Sequence, residues 1–150
     1  MRAFRTISEN NESIGCAIIE LLFGVDLSGI SLIVMPFCPH NLADYELHTG
    51  SSWNKAELEK IFYDLLAAVH FLHVNDVCHN DIKKQNVLVD EVGRPRLADF
   101  GSSSDRGDKY PVATRAYRPP ENIGYGSRAD IWSLGALFFS LLTGEELVPI

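Results

Sequence analysis

Hydrophobic and polar positions along this 150-residue chain fall into blocks whose period changes several times. Two short apolar runs, residues 17–22 (AIIELL) and 30–35 (ISLIVM), flank GVDLSG. Turn-forming residues between runs of strand length predict a β-hairpin. Residues 38–53 keep neither period and read as loop. From Asn54 onward the period becomes helical: Leu58, Ile61, Phe62, Leu65, Leu66, Val69 and Leu72 follow i, i+3, i+4, i+7 spacing. Asn54 and Glu57 stand where a capping box would open that helix. Val87–Val89 and Arg94–Ala98 around DEVG predict a second hairpin. Residues 99–126, rich in Gly, Ser, Pro and charge, predict a long irregular segment, and such segments are usually functional. Ser127 is a candidate cap for a second helix over 128–142 that closes at Thr143-Gly144. Its stretch IWSLGALFFSLL is apolar nearly all round, which requires a larger body to bury it. The mixture of hairpins and helices is an α+β pattern.

Composition narrows the classes. The length suits one core. Thirteen Lys and Arg against 20 Asp and Glu give a net charge of -7, and no basic stripe offers itself to nucleic acid. No apolar run approaches the roughly 20 residues of a membrane helix, and MRAFRTISENN is too polar for a secretory signal. Cys16, Cys38 and Cys78 are an odd, scattered set, so free thiols in a reducing compartment are expected. The expectation is an intracellular chain, in cytoplasm or nucleus.

Two stretches imitate known sites. GVDLSGIS copies the spacing of a phosphate-binding loop but has Ile30 where that loop needs its lysine, so it reads as a turn. His70 and His73 on the predicted helix bring no third ligand at a recognised spacing and read as packing or solvated residues.

The chemistry gathers in CHNDIKKQNVLVD, residues 78–90. Asp81, Lys83 and Asn86 share one polar loop between apolar flanks, and Asp99 follows in ADFGSS after a predicted strand. Asn86 and Asp99 then offer oxygen donors from adjacent hairpin strands. This is the donor type magnesium takes when phosphate and water complete its octahedron. Asp81 is left to accept a proton from a hydroxyl, and Lys83 to neutralise charge on a transferred phosphoryl group. Base, cation and metal ligands are the components of phosphoryl transfer.

The same residues resemble the eukaryotic protein kinases. CHNDIKKQN resembles the catalytic loop H-R-D-x-K-x-x-N, ADFG matches D-F-G, RPPE resembles A-P-E, and ADIWSLG looks like the start of the large central helix. All four occur in kinase order and spacing. The resemblance implies a partial kinase-like fold: residues 1–37 as a remnant of the N-lobe sheet and hinge strand, and 38–150 as the upper, helical half of the C-lobe. It implies ATP and Mg2+ as cofactors, with Asp81 and Lys83 catalytic, and Asn86 and Asp99 on the metal. Adenine would bond the Pro36 carbonyl and the Cys38 amide behind a gatekeeper, Met35, and rest on Leu88. His79 and Phe100 would pack behind the site, Glu121 would anchor the end of the activation segment, and Asp130 would hold the loop backbone from below. A lysine at position 83 is the serine/threonine-kinase habit. VATRAYRPPE and LLTGEELVPI are similar to the cyclin-dependent and MAP kinase group, which implies a protein substrate with a proline-directed preference read partly by Arg118. A regulatory or complementing protein partner is also expected.

Departures from the family pattern are as informative. Asn80 replaces the arginine of H-R-D, and a carboxamide cannot make that arginine's bidentate contact with a phosphorylated residue. Activity should therefore not depend on phosphorylation of Thr114 or Ser102–Ser104. No G-x-G-x-x-G precedes the hinge strand and no lysine precedes Lys55. Without those phosphate-gripping parts transfer would be slower by several orders of magnitude. A non-catalytic pseudokinase or binding module is thus the alternative to a serine/threonine kinase. A small-molecule phosphotransferase of similar fold is the third reading, and RPPE with the ADIWSLG helix speaks for a protein substrate instead.

Overall fold

The computed structural model describes residues 17–45, 48, 52–105, 114–120 and 126–148. The first hairpin is β1 (Phe23–Leu27) and β2 (Ile30–Val34), antiparallel, with Phe23 opposite Val34 and Leu27 opposite Ile30. The second strand falls where the apolar run predicts it. The first does not, because the turn needs only Ser28 and Gly29. Both have positive φ, 44° and 94°, and a two-residue turn of that kind matches the twist of the paired strands. GVDL therefore belongs to the strand and not to the turn. Residues 17–19 of the expected strand lie instead against β6 (Pro95–Leu97), where the Leu97 N–H donates to Ala17 O and the Ile19 N–H to Leu97 O.

The central sheet has the order β3 (His40–Asn41), β5 (Val87–Val89), β6, all antiparallel. β3 lies inside the stretch that reads as loop, since two residues are too few to show a period. α1 (Lys55–Val74) opens with the expected capping box: Asn54 Oδ1 accepts from the Glu57 N–H at 3.1 Å, and Glu57 Oε2 accepts from the Asn54 N–H at 2.8 Å. α2 (Ser127–Thr143) starts one residue earlier than expected. Its cap is Gly126 (φ 117°), and Ser127 makes no capping bond. Gly144 closes it at φ 75°, a left-handed conformation that glycine adopts at little cost.

α1 buries its inner face against β6, and α2 packs against α1 and the 3-10 turn Arg115–Tyr117. Leu65, Leu72, Ile82, Val87, Leu97 and Leu137 are all at most 1% exposed. Burial of each such side chain stabilises the fold by about 1.5–3 kcal/mol. Phe62 of α1 meets Phe138 of α2 edge-to-face at 4.5 Å. The other side of α2 keeps its apolar surface, with Ile131 49% and Leu142 67% exposed. Between β4 (Val77–Cys78) and β5 runs the polar loop that sequence reading singles out, and β4 pairs with β7 (Ser104–Asp105).

Candidate active site

The loop is suspended from a buried carboxylate. Asp130, in the first turn of α2 and 1% exposed, accepts the backbone N–H groups of His79 (2.9 Å) and Asn80 (2.8 Å) and the His73 Nε2–H (2.8 Å). Helix start and loop are fifty residues apart in sequence, so this one side chain fixes where the loop stands. His79 lies beneath it, fully buried, its ring 4.9 Å from that of Phe100. Its Nε2–H donates to Ala98 O at 2.9 Å while Nδ1 accepts from the Asp81 N–H at 3.3 Å. One nitrogen donating and the other accepting describes a neutral imidazole. Burial pushes its pKa below the ordinary histidine value, partly opposed by Asp130 and the Ala98 carbonyl.

A pH dependence follows. For a base whose folded pKa is depressed, the unfolded chain takes up the proton first, so stability falls as pH drops below the ordinary value of about 6.5. At the ordinary histidine midpoint of about pH 6.5 the His79 ring resonances should therefore still be mainly those of the neutral imidazole in NMR spectra. A ring that is half protonated or more at that pH would contradict the assignment.

At the head of the loop Asp81 is largely buried and Asn86 buried. Asp81 Oδ2 accepts from Lys83 Nζ at 2.7 Å and from Asn86 Nδ2 at 3.0 Å. Its Oδ1 accepts from the Thr114 hydroxyl at 2.9 Å and the Thr114 N–H at 3.2 Å. Burial alone would raise the Asp81 pKa. The bonds from Lys83 and Thr114 outweigh it and hold the carboxyl below its usual range, so it stands ready as an acceptor at neutral pH. Lys83 also donates to Thr114 Oγ1 at 3.1 Å, closing a triangle of ammonium, carboxylate and hydroxyl. Nothing near position 81 in sequence signals Thr114, thirty-three residues away.

Asn86 closes a 3-10 turn (Lys84–Asn86), and its amide nitrogen is spent on Asp81, on the main-chain oxygen (2.8 Å) and on Oδ2. Its Oδ1 is thereby turned away from Asp81. The Ala98 N–H donates to Asn86 O at 2.8 Å, so the strand that leads to Asp99 runs directly beside Asn86. Asp99 sits in the left-handed region (φ 59°), exposed, its carboxylate accepting a long bond (3.3 Å) from the Gly101 N–H. A carboxamide oxygen and a solvent-facing carboxylate are hard oxygen donors with coordination capacity to spare, which fits Mg2+. Pro36 and Cys38 follow β2, both half-buried, and Leu88 is half-buried on β5 beside Arg96 of β6. Burial, with Asp90 next, raises the Cys38 pKa, so its sulfur stays a thiol.

Asn80 completes the constellation. It too has positive φ (65°), a conformation asparagine tolerates better than most residues. Its Nδ2 donates to Ser102 O (3.0 Å) and to Ser104 Oγ (2.8 Å). A neutral clamp therefore joins the loop to the segment after Asp99. Sequence reading foresees what Asn80 cannot do but not this bond. Glu121 and residues 106–113 lie outside the described residues.

The sequence matches the family described as "Protein kinase domain" over residues 7–149. This chain belongs to the protein kinase family. Relatives of this kinase chain include human "Cyclin-dependent kinase-like 4", 34% identical over 125 residues, which cover 78% of this chain and 33% of that protein. "Cyclin-dependent kinase C-1" of Oryza sativa subsp. japonica is 33% identical over 138 residues, 85% of this chain and 27% of that protein. A "Probable cell division protein kinase" of Encephalitozoon cuniculi is 33% identical over 142 residues, 88% of this chain and 52% of that protein. The kinase chain thus spans between about a quarter and about half of the length of these relatives. The α+β, kinase-like fold agrees with membership, and kinases of this family use ATP and Mg2+.

Proposed function

We propose that this chain carries the phosphoryl-transfer site of a serine/threonine protein kinase. The observation that carries the reading is the Asp81 carboxylate, which already accepts a hydroxyl hydrogen at 2.9 Å while an ammonium stands 2.7 Å from its other oxygen. That is the geometry needed to orient a substrate hydroxyl, take its proton late in transfer and neutralise the phosphoryl oxygens. Asn86 and Asp99 would hold Mg2+, which when bound draws charge from the phosphates. Pro36, Cys38 and Leu88 would seat adenine. The substrate would be a protein hydroxyl followed by proline, and a regulatory protein partner would complete the machinery, in keeping with the cyclin-dependent names of the relatives. A reducing intracellular compartment, cytoplasm or nucleus, would keep Cys38 and Cys78 as the free thiols they are here.

The test is transfer of radiolabelled phosphate from Mg·ATP to a serine-containing peptide with proline after the serine, against a small alcohol. Label in the peptide alone supports the reading, and label in the alcohol points to a small-molecule phosphotransferase. No transfer despite nucleotide binding would support the non-catalytic alternative.

Two contacts support activity without a phosphorylated segment. Asn80 clamps Ser102 and Ser104 without ionic charge, and Thr114 is already bonded to Asp81. Thr114→Glu would bring a second carboxylate against the base and should lower transfer, by up to about 100-fold as for other small misplacements of catalytic groups. A severalfold rise in peptide phosphorylation by that variant would contradict the account.

A further inference from the structure

Outside the residues assigned to that site, a histidine–aspartate–histidine group spans β3 and the turn after it. His40, Asp44 and His48 each present one ligating atom, and these atoms lie within 4.8 Å of one another. We propose that they form a binding site for a borderline divalent metal ion of the zinc type.

Several features set the three side chains in place. His40 belongs to β3, its backbone held opposite Val89 of the central sheet. The His48 N–H donates to Asp44 O at 3.0 Å, the i, i+4 bond of a helical turn, which stacks residues 44 and 48 on one face. Asn41 aims the carboxylate: its N–H donates to Asp44 Oδ1 at 2.9 Å and its Nδ2 to Oδ2 at 3.2 Å. A metal-ligating carboxylate is ordinarily oriented by such outer bonds, and its further lone pairs remain for a cation. Tyr45 meets the His40 ring edge-on at 5.9 Å and itself stacks on Trp53 at 4.0 Å, which limits the rotation of that imidazole.

An ordinary surface ion pair would need only Asp44 and His48, whose Oδ2 and Nδ1 are 3.7 Å apart. His40 is not needed for it, yet its ring lies nearly parallel to that of His48 at 5.7 Å. In a tetrahedral zinc site with bonds of about 2.0–2.2 Å, ligand atoms stand roughly 3.3–3.6 Å apart. The widest separation therefore has to close by no more than about 1.5 Å. Two imidazoles and one carboxylate suit Zn2+, Co2+ or Ni2+, whereas Mg2+ takes oxygen. Three protein ligands, with His48 exposed, leave a fourth position to water. This site shares no residue with the one proposed for Mg·ATP and does not rest on that reading.

The 150-residue chain, stripped with chelator, would be titrated with Co2+ and the bound ion displaced by Zn2+. The expected result is one equivalent of bound Co2+ with visible ligand-field absorption and no thiolate charge-transfer band. His48→Ala and His40→Gln should each weaken binding by at least the roughly 10–100-fold that loss of an outer-shell partner costs, with circular dichroism unchanged. Cys78→Ser should leave binding intact. That variant controls for the buried group of His73, Cys78 and Asp130. Absence of saturable binding, retention of full affinity in His48→Ala, or a thiolate band lost in Cys78→Ser would each overturn the proposal.

Discussion

Asp130→Ala is expected to destabilise the fold by about 3–5 kcal/mol, the loss typical when one partner of a buried charged network is removed. The carboxylate is 1% exposed and has three donors within 2.9 Å. Its removal leaves the His79 and Asn80 N–H groups buried without an acceptor, at about 1–3 kcal/mol each. Domains are stable by only about 5–15 kcal/mol in all, so much of the reserve would go. Chemical denaturation of the 150-residue chain measures it. A loss below about 1 kcal/mol would mean that the loop is held by something other than Asp130.

The second large effect is on chemistry. Asp81→Asn keeps the shape of the side chain but removes the acceptor for a substrate proton, and transfer to a peptide should fall by about 10²–10⁴-fold. Because Asp81 is proposed to act on the hydroxyl and not on the metal, stabilisation by Mg·ATP should persist in the variant. Comparison of initial transfer rates with nucleotide-dependent melting separates the two roles. Unchanged transfer would remove Asp81 from the mechanism, and loss of the nucleotide effect would place it among the ligands instead.

Parts of this architecture are legible in the sequence for identifiable reasons. The capping box at Asn54 and Glu57 and the apolar period after it are local, so α1 is predictable almost to the residue. The hairpin around DEVG is local as well. The loop from His79 to Asn86 is readable because base, cation and carboxamide are compressed into eight residues. What escapes is decided at a distance or by very little chain. β1 is misplaced because a turn of two residues, Ser28 and Gly29, suffices where six residues of turn-like composition stand. Ser127 loses the cap to Gly126, whose φ of 117° suits it and not a residue with a Cβ. The bond from Thr114 to Asp81 spans thirty-three residues and that from Asn80 to Ser104 twenty-four. No periodicity reports contacts of that span. His73 reads as a packing or solvated residue, and its partnership with Asp130 is a product of packing between α1 and α2.

The loop and Asp99 are proposed to hold Mg·ATP together in this chain. Thermal unfolding with and without Mg·ATP, with Asp99→Asn alongside, tests this most directly. Nucleotide at about 100 times its Kd should add about 2.7 kcal/mol, a rise of about 5–10 °C for a domain of this size. The wild-type chain should show that rise and Asp99→Asn should show little of it. A cooperative melt that nucleotide leaves unmoved, or moves equally in both proteins, would contradict the account.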